Sequence, residues 1–476
     1  MPFIEDHIAN FSGTGGQFQR DTLARVTGEN LFPPLLFRAD VQRKQFEGTI
    51  GQSLTIPVPG LLPVDTRPRK SGVTPTPDVQ PIEYYRVQPE PYGKSIAVNM
   101  PGNYASAIGP YYQAKAKQVL QAGQTLNRIM RDRMFSTYLA GHAIVDVVAG
   151  AGTVLTVSSL NGFANAIEAS SGYPVPVSSA SPKAFLRNGA AVPGSRIIGA
   201  TPNDPTNPLG PGTLTLDVAA GFVATDRIDA VDASVILRPG AVTTVDGIGI
   251  ADLFSLRLVQ RAITRLRNNS VGPHADGFYH IHFPPDGEDA LYQENAVQRQ
   301  IETRGFEDDP FRKFAFGTGV GGLWYSNNEC PRLGTIDTSR LVPSRPVTAP
   351  DAFCAGDIGA DVVNATGISI LRAIVTGGGI IQESYVDEMA YMTEAGYLGK
   401  IEARTVDNKG VEVRADGVRF IDQAPTDLFG EAVQMGWSYT GDFVPPTNRL
   451  SGLNSATSTP AYKLGVVIEA ALPSGA

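Results

Sequence analysis

The chain has 476 residues, 42% of them hydrophobic and 18% charged, which suits a globular protein of two to four domains with a large buried core. Its formal net charge of −8, from 39 basic and 47 acidic side chains, argues against a dedicated nucleic-acid binder, whose affinity comes from neutralising phosphates, but not against a protein that encloses nucleic acid without gripping it. Gly (51) and Pro (36) together approach a fifth of the chain, which predicts many turns, long loops and extended arms.

Residues 1–45 read as an N-terminal arm. Gly13 to Gly16 is flexible, and Thr22 to Phe37 is broken by Pro33-Pro34. The first residues lack the basic and apolar regions of a signal peptide. No apolar run is long enough to span a membrane; the best, Ile368 to Ile381, contains Arg372 and three glycines. Cys330 and Cys354 are too few for a disulfide framework or a structural zinc site, and two free buried thiols are favoured over one disulfide. The expectation is a soluble protein made in a reducing cytoplasm.

Extended patterns follow over residues 46–104. Leu54 to Val58, Ile82 to Val87 and Ser95 to Val98 alternate as strands do. Between them, Pro59 to Pro81 carries Arg67, Arg69 and Lys70 among several prolines. A loop that long is unusual inside a compact domain. A long β-hairpin projecting from the body accounts for it, and its basic tip then needs a partner outside its own fold. Tyr111 to Leu139, within residues 105–145, is the longest helical signal. Val119, Ala122, Leu126, Ile129, Met130, Met134 and Tyr138 form one stripe at spacings of three and four. Lys115, Lys117, Gln121, Asn127, Arg128, Arg131 and Asp132 are expected on the remaining surface. Pro110 suits the first helical position and Gly141 the stop. Such a rod would be about 43 Å long at 1.5 Å per residue, a spine more than a pocket wall.

Residues 146–243 are poor in charge and rich in Gly, Pro, Ser, Thr and Val. Strands are expected at Val154–Val157, Arg196–Ile198, Thr213–Val218 and Val235–Leu237, in a β-rich insertion built as a small barrel or sandwich. Within residues 244–399, a helix is expected over 248–267, with Ile250, Leu253, Phe254, Leu258, Ala262 and Leu266 inward. Arg257, Arg261 and Arg265 recur every four residues as one basic stripe. A solvated face is the plainer reading of that stripe, and a row of inter-subunit ion pairs the sharper one. Asp276 to Pro285 reads as a buried strand ending at prolines, Ala290 to Arg304 and Glu383 to Met392 as helices, and Gly367 to Val375 as a strand or buried helix. In residues 400–476, Asn408-Lys409-Gly410 marks a hairpin between Ile401–Val406 and Val411–Val413. Met435–Tyr439 and Tyr462–Glu469 read as closing strands.

Candidate chemistry is sparse. Gly317 to Gly322 has the spacing G-x-G-x-x-G, but Leu323 to Asn328 predicts no helix to face a pyrophosphate. His280 and His282 share one face of a strand. Without a third ligand at a defined spacing, they read as partly buried histidines bonded to backbone rather than as a metal pair. Asp308-Asp309 and Glu288-Asp289 suit solvated loops as well as a cation. No nucleophile elbow, Walker A or H-E-x-x-H motif occurs. No catalytic, cofactor or metal residue is assigned, and an enzyme is not expected.

The order of these pieces carries a resemblance. Gly51 to Pro57 resembles the first strand of an extended E-loop, and Ile96 to Met100 resembles the return strand into the spine. Asp276-Gly277-Phe278-Tyr279 through Pro284, Phe316 to Gly321 and Met435 to Tyr439 resemble successive segments of the N4-type coat family. The chain therefore resembles tailed-bacteriophage major capsid proteins of the HK97-like fold, N4-type or P22-type.

The resemblance implies an α+β fold with an N-arm (1–45), E-loop (46–104), spine helix or P-domain (105–145), β-rich insertion (146–243), A-domain (244–399) and closing strands (400–476). It also implies hexamers and pentamers closing an icosahedral shell around phage dsDNA, assembled in the host cytoplasm. A separate scaffolding protein, a portal and a decoration protein would be the partners, with no fused scaffolding leader. Arg67, Arg69, Lys70, Arg257, Arg261 and Arg265 are the expected inter-subunit contacts. An encapsulin-like cellular compartment and a β-rich cytosolic enzyme remain as alternatives.

Overall fold

The computed structural model describes residues 36–46, 54–59, 72, 82–87, 89–99, 110–149, 152–167, 174–205, 211–223, 226–231, 233–240, 242–243, 245–295, 297–298, 318–319, 321–331, 368, 370–386, 405–406, 410–415, 418–423, 432–445 and 464–472. The arm before Leu36, the basic tip with Arg67, Arg69 and Lys70, Asp308-Asp309 and Cys354 lie outside them.

A 3-10 turn (Phe37–Asp40) leads into β1 (Gln42–Phe46), β2 (Leu54–Pro59), β3 (Ile82–Val87), β4 (Glu90–Asn99) and helix α1 (Pro110–Tyr138). Then come β5 (His142–Ala149), β6 (Val154–Val157), β7 (Asn165–Ile167), β8 (Pro174–Pro176), β9 (Phe185–Arg187), β10 (Ala190–Ala191), β11 (Ile197–Pro202), β12 (Gly212–Leu216), β13 (Arg227–Ala230) and β14 (Ile236–Leu237). Helix α2 (Leu256–Asn268), β15 (Tyr279–Phe283), α3 (Asp286–Tyr292), β16 (Thr318–Gly319), β17 (Gly322–Ser326), β18 (Ile370–Thr376) and β19 (Gln382–Val386) follow. The chain closes with β20 (Thr405–Val406), β21 (Gly410–Ala415), β22 (Val418–Gln423), β23 (Ala432–Val444) and β24 (Gly465–Ala471).

The fold is α+β. One sheet runs β14-β24-β18-β15-β17-β16 and is covered on both faces. The two-residue period of a strand sorts its side chains. Tyr279, Ile281 and Phe283 of β15, Leu371, Ala373 and Val375 of β18, and Val466, Ile468 and Ala470 of β24 meet α2. On the opposite face, Ile374 and Val467 join Leu126, Met130, Met134 and Tyr138 of α1. Strands buried on both faces read as near-continuous apolar runs, as β18 and β24 do but for Arg372 and Glu469, whereas β15 interleaves His280 and His282.

A second sheet runs β1-β19-β23-β22-β21-β20, with β4 also paired to β23 along ten residue pairs from Ala432↔Asn99 to Gly441↔Glu90. It supplies Trp437, Tyr439 and Phe443 to the α1 core. β2 and β3 pair antiparallel, from Leu54↔Val87 to Pro59↔Ile82, as a two-stranded sheet of their own.

A third sheet runs β10-β9-β13-β5-β6-β12-β11. A bridge between Ile197 and Lys183, just before β9, returns its far edge to the start. The strands thus curl into a small barrel around Val145, Leu155, Phe163, Phe185, Leu214 and Ile228.

α1 begins at Pro110 and is followed by Gly141 at φ +84°, as its sequence predicts. Its polar positions need correction. Asn127, Arg131 and Asp132 are buried, whereas Val119 is half exposed. α2 starts at Leu256 rather than 248, because the Asp252 carboxylate accepts the Gly249 N–H and closes a turn there, leaving Ile250 exposed. The Leu256 N–H donates to Glu294 Oε2 at 2.8 Å, so a carboxylate from outside the helix satisfies its first turn.

Of the helix expected over 290–304, a first piece begins earlier, behind Pro285, and runs to Tyr292; helical residues resume at Asn295, Val297 and Gln298, and 299–304 lie outside the described residues. Asp286, Glu288 and Asp289 occupy its first turn, where negative charge is favourable. The helix expected at Glu383–Met392 begins as strand β19, paired in parallel with β1 and antiparallel with β23. The expected hairpin forms between β20 and β21.

Candidate functional site

His280 and His282 alternate with the apolar residues of β15, so both rings point to the α1 face of the sheet. There they meet Asp40, the last residue of the 3-10 turn. The His280 Nδ1–H donates to Asp40 Oδ1 at 2.5 Å, and the His282 Nε2–H donates to Asp40 Oδ2 at 2.7 Å. Thr376 of β18 adds its hydroxyl to Oδ2 at 2.9 Å. His280 uses its other nitrogen as well, donating Nε2–H to Asp276 Oδ2 at 2.7 Å. Two carboxylates on one imidazole require two N–H groups, so His280 is an imidazolium here. The sequence-derived expectation of histidines bonded to backbone is therefore corrected: both are held by a carboxylate some 240 positions away.

The rings are also clamped by stacking. His274 lies on His280 at 4.0 Å between centroids, Tyr325 on His282 at 5.1 Å, and Phe37 tilts against His282 at 4.8 Å. Asp40, His280 and His282 are all buried. Burial pushes the Asp40 carboxyl up, but the two histidines pull it down further, well below the usual carboxylate range. Burial lowers His280, and Asp40 and Asp276 outweigh it, so its pKa is raised. Burial leaves His274 lowered.

Other buried charges act as clips between elements. Glu329, after β17, accepts from Asn127 Nδ2 at 2.9 Å and Arg128 Nε at 3.1 Å, while Arg131 Nη1 donates to the Glu329 carbonyl. Those bonds explain why the polar side of α1 turns inward. Glu383 of β19 joins Arg38, Arg43 and the Tyr439 hydroxyl. Glu469 of β24 joins Arg372 and Arg238.

The remaining candidates separate. Arg257, Arg261 and Arg265 are exposed on α2. Within the glycine cluster, Thr318–Gly319 and Gly322–Ser326 form an antiparallel pair with no helix after it. Gly322 is needed for close approach, since a Cβ there would lie 2.4 Å from Ile281 Cδ1. Cys330 is a buried free thiol whose pKa burial pushes well up. No described helix is long and apolar enough to cross a membrane.

No protein-family model and no curated protein matches the chain. The solved structures similar to it include the capsid of Ralstonia phage GP4, at 12% identity and a TM-score of 0.46, covering 94% of this chain and 91% of that one. The capsid asymmetric unit of cyanophage Pam1 is similar at 12% identity and a TM-score of 0.48, covering 92% of each chain. Mycobacterium phage Che8 is similar at 8% identity and a TM-score of 0.40, covering 92% and 91%.

Proposed function

We propose that this chain is a major capsid protein of the HK97-like kind, whose copies tile a closed icosahedral shell around phage dsDNA. The observation that carries the reading is the separate two-stranded sheet β2–β3, set between β1 and β4 in sequence and hydrogen-bonded to none of the three large sheets. An isolated two-stranded hairpin is at best marginally stable in water. It therefore calls for a covering surface, and a sister copy supplies one in a tiled shell. The order around it supports the same assignment: hairpin, 29-residue spine helix, barrel, then the doubly covered sheet.

In this reading residues 46–104 are the E-loop, 105–145 the P-domain spine, 146–243 the insertion and 244–399 the A-domain. Each inter-copy contact is modest alone and becomes strong when many close on one another. The basic tip at Arg67, Arg69 and Lys70 and the exposed stripe at Arg257, Arg261 and Arg265 are the proposed inter-subunit contacts. The acidic balance keeps the wall from gripping packaged DNA. Scaffolding, portal and decoration proteins are the proposed partners, the host cytoplasm the place of assembly and the virion the destination.

Electron microscopy and sedimentation of the expressed chain test this. Shells, or hexameric and pentameric capsomers, are expected. A variant with residues 60–81 replaced by a short turn should stay soluble and fail to assemble. A wild-type chain that remains a monodisperse monomer, with and without a co-expressed scaffold, would refute the proposal.

A further inference from the structure

The geometry points to a divalent transition-metal site, best suited to zinc, formed by Asp40, His280 and His282. Among the described residues these are the one group of three metal-capable side chains whose ligand atoms converge, all within 4.8 Å of one another. Both Asp40 oxygens face the rings, Oδ1 toward His280 Nδ1 and Oδ2 toward His282 Nε2. An ion there would take one nitrogen from each ring and carboxylate oxygen from Asp40, three protein residues in all, with rings and carboxylate drawing apart from their present hydrogen-bond distances of 2.5 and 2.7 Å. Mixed imidazole and carboxylate donors favour zinc and its neighbours over magnesium or calcium, which prefer all-oxygen shells.

Each donor is also braced from behind, as metal-binding side chains usually are. Asp276 holds the far nitrogen of His280, which fixes Nδ1 toward Asp40. The Thr376 hydroxyl holds Asp40 Oδ2 and is itself within 3.0 Å of His274 Nε2. Phe37 and Tyr325 fix the plane of His282. All three ligands are buried.

Such an ion would staple the turn before β1 to β15, two segments far apart in sequence.

The test does not depend on shell assembly. The full-length chain is purified from zinc-supplemented medium, and its metal content is measured by mass spectrometry. One zinc per chain is expected in wild type and in the control H142Q, with only background in D40N and H282Q. EDTA should lower the wild-type melting temperature, and zinc should restore it. Because D40N can also fail by misfolding, the wild-type chain is separately loaded with cobalt(II), which should give the visible absorption of a low-coordinate N/O site. Background zinc in the wild-type chain, or absence of that cobalt spectrum, would overturn the assignment and leave the cluster held by protons alone.

Discussion

Glu469→Gln is the sharpest probe of how the doubly covered sheet is held together. Glu469 sits on the α1 face of β24 and accepts Arg372 Nε at 3.0 Å and Arg238 Nε at 2.9 Å. The side chains of Glu469 and Arg372 are each 1% exposed, and that of Arg238 is 9% exposed. The amide keeps the shape, removes the charge and turns an NH2 toward a guanidinium. Removing one partner of a buried ion pair costs about 3–5 kcal/mol, mostly as the penalty of leaving the other charge uncompensated. The substitution belongs in that range because Arg372 cannot reach water.

The pH dependence follows from the same contacts. Burial raises the Glu469 carboxyl, but Arg238 and then Arg372 lower it further, so its folded pKa lies below the ordinary value. The stabilisation is complete above the unfolded value of about 4.3 and is lost as pH falls through the folded one. Urea unfolding of the purified subunit, read by Trp324 in one core and Trp437 in the other, measures both effects. The variant should unfold at lower urea at pH 7 and lose less than wild type between about pH 5 and 3. A midpoint within about 0.5 kcal/mol of wild type, or an unchanged acid slope, would refute the reasoning.

Glu329→Ala should cost about 2–4 kcal/mol, since Asn127 is fully buried and loses its carboxylate, and limited proteolysis should then cut α1 earlier than in wild type. Gly322→Ala should lower the melting temperature, the new methyl forcing Ile281 out of place, and should cost less in an Ile281→Ala background than beside the native isoleucine. Charge reversal of Arg257, Arg261 and Arg265 together should leave stability within about 0.5 kcal/mol, because all three are exposed, yet reduce assembly seen by sedimentation. The Cys330 thiol should resist a thiol reagent in the native chain and react on unfolding, since it is buried and its pKa is raised.

Local signals in the sequence specify several elements closely. Pro110 and Gly141 bound α1 because both act through their own backbone. The strand at β15 and the shared face of its histidines follow from the two-residue period alone. What the sequence hides is the distant partner. Asn127, Arg131 and Asp132 look like a solvated face until Glu329, some 200 positions later, is brought against them. Asp40 is hidden from His280 and His282 in the same way. At Gln382–Val386 a helical pattern yields to pairing with β1 and β23, because sheet neighbours outweigh intrinsic preference. The start of α2 is displaced by a single turn-closing carboxylate, Asp252.

The chain enters and leaves the barrel through adjacent doors. His142, at the head of β5, pairs with Asp229 in β13, and the Ala230 N–H donates to the Gly141 carbonyl at 2.8 Å. The described strands between those points, β5 to β13, keep an apolar centre of their own. Evolution can thus trade this module for another, and an engineer can graft a foreign antigen or enzyme at those doors, without redrawing the frame beneath it.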